Sequence, residues 1–228
     1  MADGAALTGT SLRTPKSAAL AGIAFSILVA LVFWLFRISI PADPLDASAW
    51  PAKSASTITA ALNLMPFVGI AFLWFIGVLR DRLGQQEDRF FATVFLGSAM
   101  LFLAMIFTSA AVIGAIMLTF SADPGAMVNS ATLLVARAIA YNLINVYAIK
   151  MAGVFMISTS TVILYAGIAP RWMGFLGYAL ALILLLGSYY ISWCFIVLPV
   201  WVLLISVHIL IDNYRSPKPQ HQPSGSAG

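Results

Sequence analysis

Apolar residues gather into about six long stretches, separated by short segments that hold most of the polar and charged positions. A helix needs about 20 apolar residues to cross about 30 Å of hydrocarbon at about 1.5 Å per residue. The first stretch covers residues 18–40. It runs into a segment with Pro41, Asp43, Pro44, Asp46 and Pro51, a composition that cannot continue a helix. The second covers residues 57–79, interrupted at Pro66. The third begins at Phe90 or Phe91 and stays apolar to Phe120. That is roughly 46 Å of helix, more than a tilt of about 20° absorbs, so it is expected to protrude or to bend near Gly114. Ser121-Ala122-Asp123-Pro124-Gly125 has the composition of a turn.

Residues 130–168 are too long for one span and contain Arg137 and Lys150. Either two spans turn near Lys150-Met151-Ala152-Gly153, or one long helix or a broken pair places an interfacial part at about 130–144 ahead of a single span at about 145–168. Cytoplasmic loops are enriched in Lys and Arg, and only a single crossing preserves that bias. It leaves Arg13, Lys16, Arg80, Arg82, Arg89, Arg171, Arg215 and Lys218 inside. Arg37, Lys53, Arg137 and Lys150 then lie outside or in the membrane. The last apolar stretch, 174–211, is about twice a span. Gly187-Ser188-Tyr189-Tyr190 divides it into a hairpin of 172–186 and 191–211, with Pro199 inside the second arm. The pattern therefore predicts an all-α polytopic transmembrane helical bundle of about six spans, with both termini cytoplasmic. Its transmembrane part is 17–212, flanked by disordered tails at 1–16 and 213–228. Arg13 and Lys16 ahead of the first apolar run resemble a signal peptide, but that run is too long for an h-region of about 7–15 residues, so an uncleaved first span is expected.

Composition sharpens this picture. Of 228 residues, 61% are hydrophobic and 9% charged, far from an ordinary soluble domain. The net charge of +4 does not imply nucleic acid, because the basic residues are scattered through short loops and form no patch or stripe. The single cysteine, Cys194, excludes an internal disulfide and any multi-Cys metal site; it reads as a small packing residue. No Asp or Glu falls inside an apolar stretch. That withholds the carboxylates that most proton-coupled pumps use.

Each polar group within the spans calls for a reason. Lys150 is either a lysine snorkelling to the outer boundary or one lining a polar cavity. Lys150, Val154, Ser158, Thr161 and Tyr165 fall near one helical face, a stripe that suits helix packing or a solute path. Arg137, Tyr141 and Asn145 share another face at spacing i, i+4, i+8. This suits an amphipathic segment at the outer surface, with Arg137 meeting lipid phosphates. Asn63 lies one turn before Pro66, in the outer half of the second span. Asn63, Arg137, Asn142, Asn145 and Lys150 thus define a candidate solute- or lipid-contact group: an outward vestibule lined by cations, or interfacial residues with no common purpose. Arg80, Asp81, Arg82 and Arg89 define a candidate docking element for a partner. The spacing Ala110-x-x-x-Gly114 permits close helix approach, a pattern common in bundles.

Several chemistries lack their residues. Haem held by two histidines fails, since His208 sits near the inner end of the last span and His221 in the tail. A retinal Schiff base on Lys150 lacks a carboxylate counter-ion. Phosphate loops, HExxH and GxSxG elbows are missing. No cofactor, metal or catalytic residue is assigned. A lipid-processing enzyme using Asp81, Glu87 and Asp88 is the weakest of three readings.

The segments Ala71-Phe72-Leu73-Trp74-Phe75-Ile76-Gly77-Val78-Leu79-Arg80-Asp81-Arg82-Leu83-Gly84, Asp88-Arg89-Phe90-Phe91-Ala92-Thr93-Val94-Phe95-Leu96-Gly97 and Pro170-Arg171-Trp172-Met173-Gly174-Phe175-Leu176-Gly177-Tyr178 carry a likeness. On them the chain resembles bacterial, actinobacterial-type multi-span integral membrane proteins with no established activity. The resemblance covers most of the span region and implies a bacterial inner membrane and nothing catalytic. The leading expectation is a non-enzymatic integral membrane protein of the inner (plasma) membrane, a structural or accessory subunit that contacts lipid and another membrane protein or its own copy. The alternative is a transporter or channel for an anionic or amphipathic solute or lipid.

Overall fold

The computed structural model describes residues 15–41, 43, 50–83, 89–128, 130–167, 169–187 and 194–215. Among them every regular element is helical. The elements are α1 (Pro15–Ser39), α2 (Trp50–Lys53), α3 (Ala55–Leu83), α4 (Arg89–Ala122), α5 (Pro124–Met127), α6 (Ala131–Asn142), α7 (Ile149–Ala166), α8 (Arg171–Gly187) and α9 (Val197–Arg215). A π-helical stretch, Leu143–Ala148, joins α6 to α7, and a 3₁₀ turn, Cys194–Ile196, precedes α9. Five helices are long and apolar enough to cross a membrane; α8, with 17 residues, is shorter. This architecture fits a multi-pass integral membrane protein. The expected tails lie mostly outside the described residues, although helix begins at Pro15 and continues to Arg215.

The ambiguous 130–168 region forms one unbroken rod through α6, the π stretch and α7. No turn interrupts it at Lys150-Met151-Ala152-Gly153, so it crosses the bundle once. Ser130 caps its start, with its Oγ accepting from Leu133 N–H at 3.1 Å. Gly167 ends it at φ +63°, a left-handed conformation that costs glycine little, and its N–H closes on Ile163 O at 3.1 Å. The 34-residue α4 runs as one continuous helix through Gly114, about 51 Å long. Together, α4 and the α6–α7 rod make a long hairpin. Its short turn, α5, is capped by Asp123, whose carboxylate accepts from Ala126 N–H at 3.1 Å. The residues between α8 and the 3₁₀ turn, where the second hairpin was expected to reverse, lie outside the described set.

Packing follows from which residues are small and which are aromatic. α1 lies against both α3 and α9, and α7 against α4 and α8. Phe72 of α3 is fully buried at the junction of four helices. Its ring centroid is 4.5 Å from Phe25 of α1 and 5.3 Å from both Phe102 of α4 and Phe155 of α7. Lipid is as apolar as leucine, so close backbone approach matters more here than apolar burial alone. That approach is made at Gly177 of α8, where a Cβ would lie 2.1 Å from Ser160 Oγ of α7 and 2.6 Å from the Trp201 ring of α9. Gly22 of α1 likewise faces Ser206 of α9. Gly114 makes no such approach: a Cβ there would meet only Leu62, at 3.8 Å.

Candidate functional site

A cavity lies at the end of the bundle that holds Ser39, Trp50 and the amino end of α6. Its volume is about 180 Å³. Phe33, Phe36 and Arg37 of α1 with the following Ile40 form one wall, Ile113 and Ile116 of α4 another. Arg137, Ala140 and Tyr141 of α6, Ile144 and Asn145 of the π stretch, Pro41, Trp50 and Phe195 complete it. Phe195 is held against α1 by an edge-to-face contact with Phe33 at 5.8 Å.

Arg137 is the anchor of this region. It is only 4% exposed, and among the described residues it is the one buried charged side chain. A buried charge is costly unless it is hydrogen-bonded. Its Nη2 donates to Pro41 O at 2.8 Å and to Asp43 O, and its guanidinium carbon lies 5.7 Å from the Trp50 ring centroid. The expectation that Arg137 meets lipid phosphates is therefore corrected. The carbonyls of Pro41 and Asp43, which follow α1, take the role assigned to lipid. Nor is α6 a separate piece. It continues α7 and packs on α4.

A π turn shifts the hydrogen-bond ladder from i−4 to i−5, which leaves carbonyls at the junction in need of donors. Side chains add donors around the junction: Asn142 Nδ2 donates to Ala138 O at 3.0 Å, Ser109 Oγ of α4 to Ala140 O at 2.9 Å, and Asn145 Nδ2 to Tyr141 O at 3.1 Å. The stretch brings Ile144 and Asn145 to the cavity wall.

The predicted contact group is only partly assembled. Arg137 and Asn145 meet in the cavity, joined by Tyr141 from the same i, i+4, i+8 face. Asn63 and Asn142 are exposed, and Lys150 is half-buried; none of the three lines the cavity. Sequence reasoning missed Arg37 and Trp50. Arg37 was legible as a cation ending an apolar helix, whereas Trp50 gave no signal within a proline-rich segment. The polar stripe below Lys150 splits. Ser158 and Thr161 are buried, with Thr161 Oγ1 2.7 Å from Tyr178 OH of α8, while Tyr165 is 87% exposed. Its middle thus serves helix packing. In the candidate docking element, Arg80 is exposed near the end of α3. The side chains of Asp81, Arg82 and Arg89 and the connecting residues 84–88 lie outside the described set. Comparison with protein families, curated proteins and solved structures finds no match.

Proposed function

We propose that the protein is a non-enzymatic integral membrane bundle of the inner (plasma) membrane that serves as a structural or accessory subunit for another membrane component, its own copy or a partner. One observation carries this reading. Arg137, the buried charge of the described core, is engaged by Pro41 O, Asp43 O and the Trp50 ring, so it acts as a tie within the fold. A core without spare ionic groups suits support and contact better than proton-coupled work. Both termini face the cytoplasm in this reading. Helix order then puts Arg80, Arg82, Arg89, Arg171 and Arg215 at the inner end and Arg37, Lys53 and Arg137 at the outer, in keeping with the positive-inside bias. The full chain, extracted in mild detergent and sized by light scattering and native mass spectrometry, is expected as a homo-oligomer or with a stoichiometric partner. A clean monomer would count against it.

A second reading, passage of an anionic or amphipathic solute, draws on the cavity itself, where Arg37 and Arg137 supply positive potential. Anion flux into proteoliposomes that disappears in Arg37→Gln would replace the accessory role with transport.

A further inference from the structure

We propose that the cavity between α1, α4 and α6 binds the acidic end of an anionic amphiphile, such as a phospholipid or a fatty acid, with the first part of its alkyl chain on the apolar wall. The charge pattern selects the sign: the lining carries two arginines and, among the described residues, no Asp or Glu. Arg137 is committed to the Pro41 and Asp43 carbonyls, but Arg37 is exposed at the cavity rim with no hydrogen bond or ion pair to a described residue. An arginine fork matches the two oxygens of a carboxylate or phosphate. Tyr141 stands on the same rim, and Asn145 uses one of its two amide hydrogens on Tyr141 O, which leaves the other for a ligand oxygen.

The rest of the wall selects for hydrocarbon. Phe33, Phe36 and Phe195 present rings to the cavity, and none offers a hydrogen bond. An engineered apolar cavity of about 150 Å³ accommodates benzene, so about 180 Å³ admits the head of an amphiphile and a short run of its chain, not a whole lipid. Arg37 lies in the last turn of α1, the depth at which lipid acids meet a membrane protein. The anion and the chain are therefore recognised by adjacent surfaces of one pocket.

The test uses the full chain in phosphatidylcholine nanodiscs, either doped with phosphatidylglycerol or titrated with dodecanoate, read by native mass spectrometry and thermal shift. One retained anionic amphiphile per chain is expected. Retention of phosphatidylglycerol identifies the membrane as the source, and saturable binding of dodecanoate identifies a free acid; either supports the site. Arg37→Gln, at an exposed position, should weaken binding about tenfold, the worth of one charge-assisted hydrogen bond. Ile144→Trp should abolish binding by filling the cavity. If that variant does not fold, Tyr141→Phe provides a milder perturbation of the rim, with a smaller loss expected. Binding of dodecyltrimethylammonium with equal affinity would overturn the proposal. So would unchanged retention in Arg37→Gln or in folded Ile144→Trp, or the absence of any saturable binding.

Discussion

The guanidinium carbon of Arg137 sits 5.7 Å from the centre of the Trp50 indole, and both residues are 4% exposed. The contact joins α6 to the short α2 at the cavity that both residues line. Indole is the best of the aromatic faces for a cation, and desolvation strengthens the attraction to about 2 kcal/mol. The same guanidinium satisfies the carbonyls of Pro41 and Asp43, so one side chain ties these residues and Trp50 to α6.

Arg137→Gln is expected to lower stability by about 1–3 kcal/mol, the range for losing charged hydrogen bonds and a stacked ring in a buried setting. Arg137→Lys should recover little of this, because an ammonium lacks the planar fork. Thermal unfolding in detergent reads the loss, and faster amide exchange across 41–53 locates it. A double-mutant cycle with Trp50→Leu should show a coupling of about 0.5–2 kcal/mol. Additive single effects would mean that the ring and the cation do not cooperate.

Gly177→Ala places a methyl where Ser160 Oγ and the Trp201 ring already stand, 2.1 and 2.6 Å from the new carbon. Overpacking of this kind costs about 1–3 kcal/mol. Ser160→Ala should return part of it by removing the nearer atom. Gly97→Ala in α4 is the control: a Cβ there meets nothing within 4 Å, and stability should hold or rise slightly. A loss at Gly97 as large as at Gly177 would show that helix packing is not the cause.

Phe72→Ala should rank among the most damaging core substitutions, at about 3–5 kcal/mol, because the ring touches aromatic partners on three other helices. Phe67→Ala, on the same helix but 57% exposed, should cost far less. Similar unfolding temperatures for the two variants would place the core elsewhere.

Five helices long and apolar enough to span were legible because the bilayer imposes a length, and an apolar run of that length is written directly in the chain; the sixth expected span, α8, is shorter. The long α4 and the unbroken helical run through 131–166 followed from hydropathy. What escaped was set by contacts between distant segments. Arg137, Tyr141 and Asn145 could be placed on one helical face from spacing alone, but spacing does not say what covers that face. Pro41 and Asp43 do so from more than ninety residues away. The π stretch left no local signature either, since Ser109, which supports Ala140 O, belongs to another helix. Likewise Ala110-x-x-x-Gly114 looked like a close-packing motif, whereas the tight approach at Gly177 depends on Ser160 and Trp201 from two other helices.

Orientation can be tested with the chain's own chemistry. Cys194 is the single cysteine and is buried, so a membrane-impermeant maleimide should label the native protein slowly or not at all. Cysteines introduced by Gly125→Cys, in the exposed turn of the α4–α6 hairpin, and by Arg171→Cys, at the exposed start of α8, then report on opposite ends of the bundle. In intact cells the first should react and the second should react only after permeabilisation. The unbroken rod between them puts the two sites at opposite ends of the bundle, so they should lie on opposite faces whichever way the protein inserts. Reaction of Arg171→Cys alone would invert the orientation and move the cavity with Arg37 and Arg137 to the cytoplasmic side. Equal reaction of both in intact cells would mean that residues 131–166 do not cross the membrane.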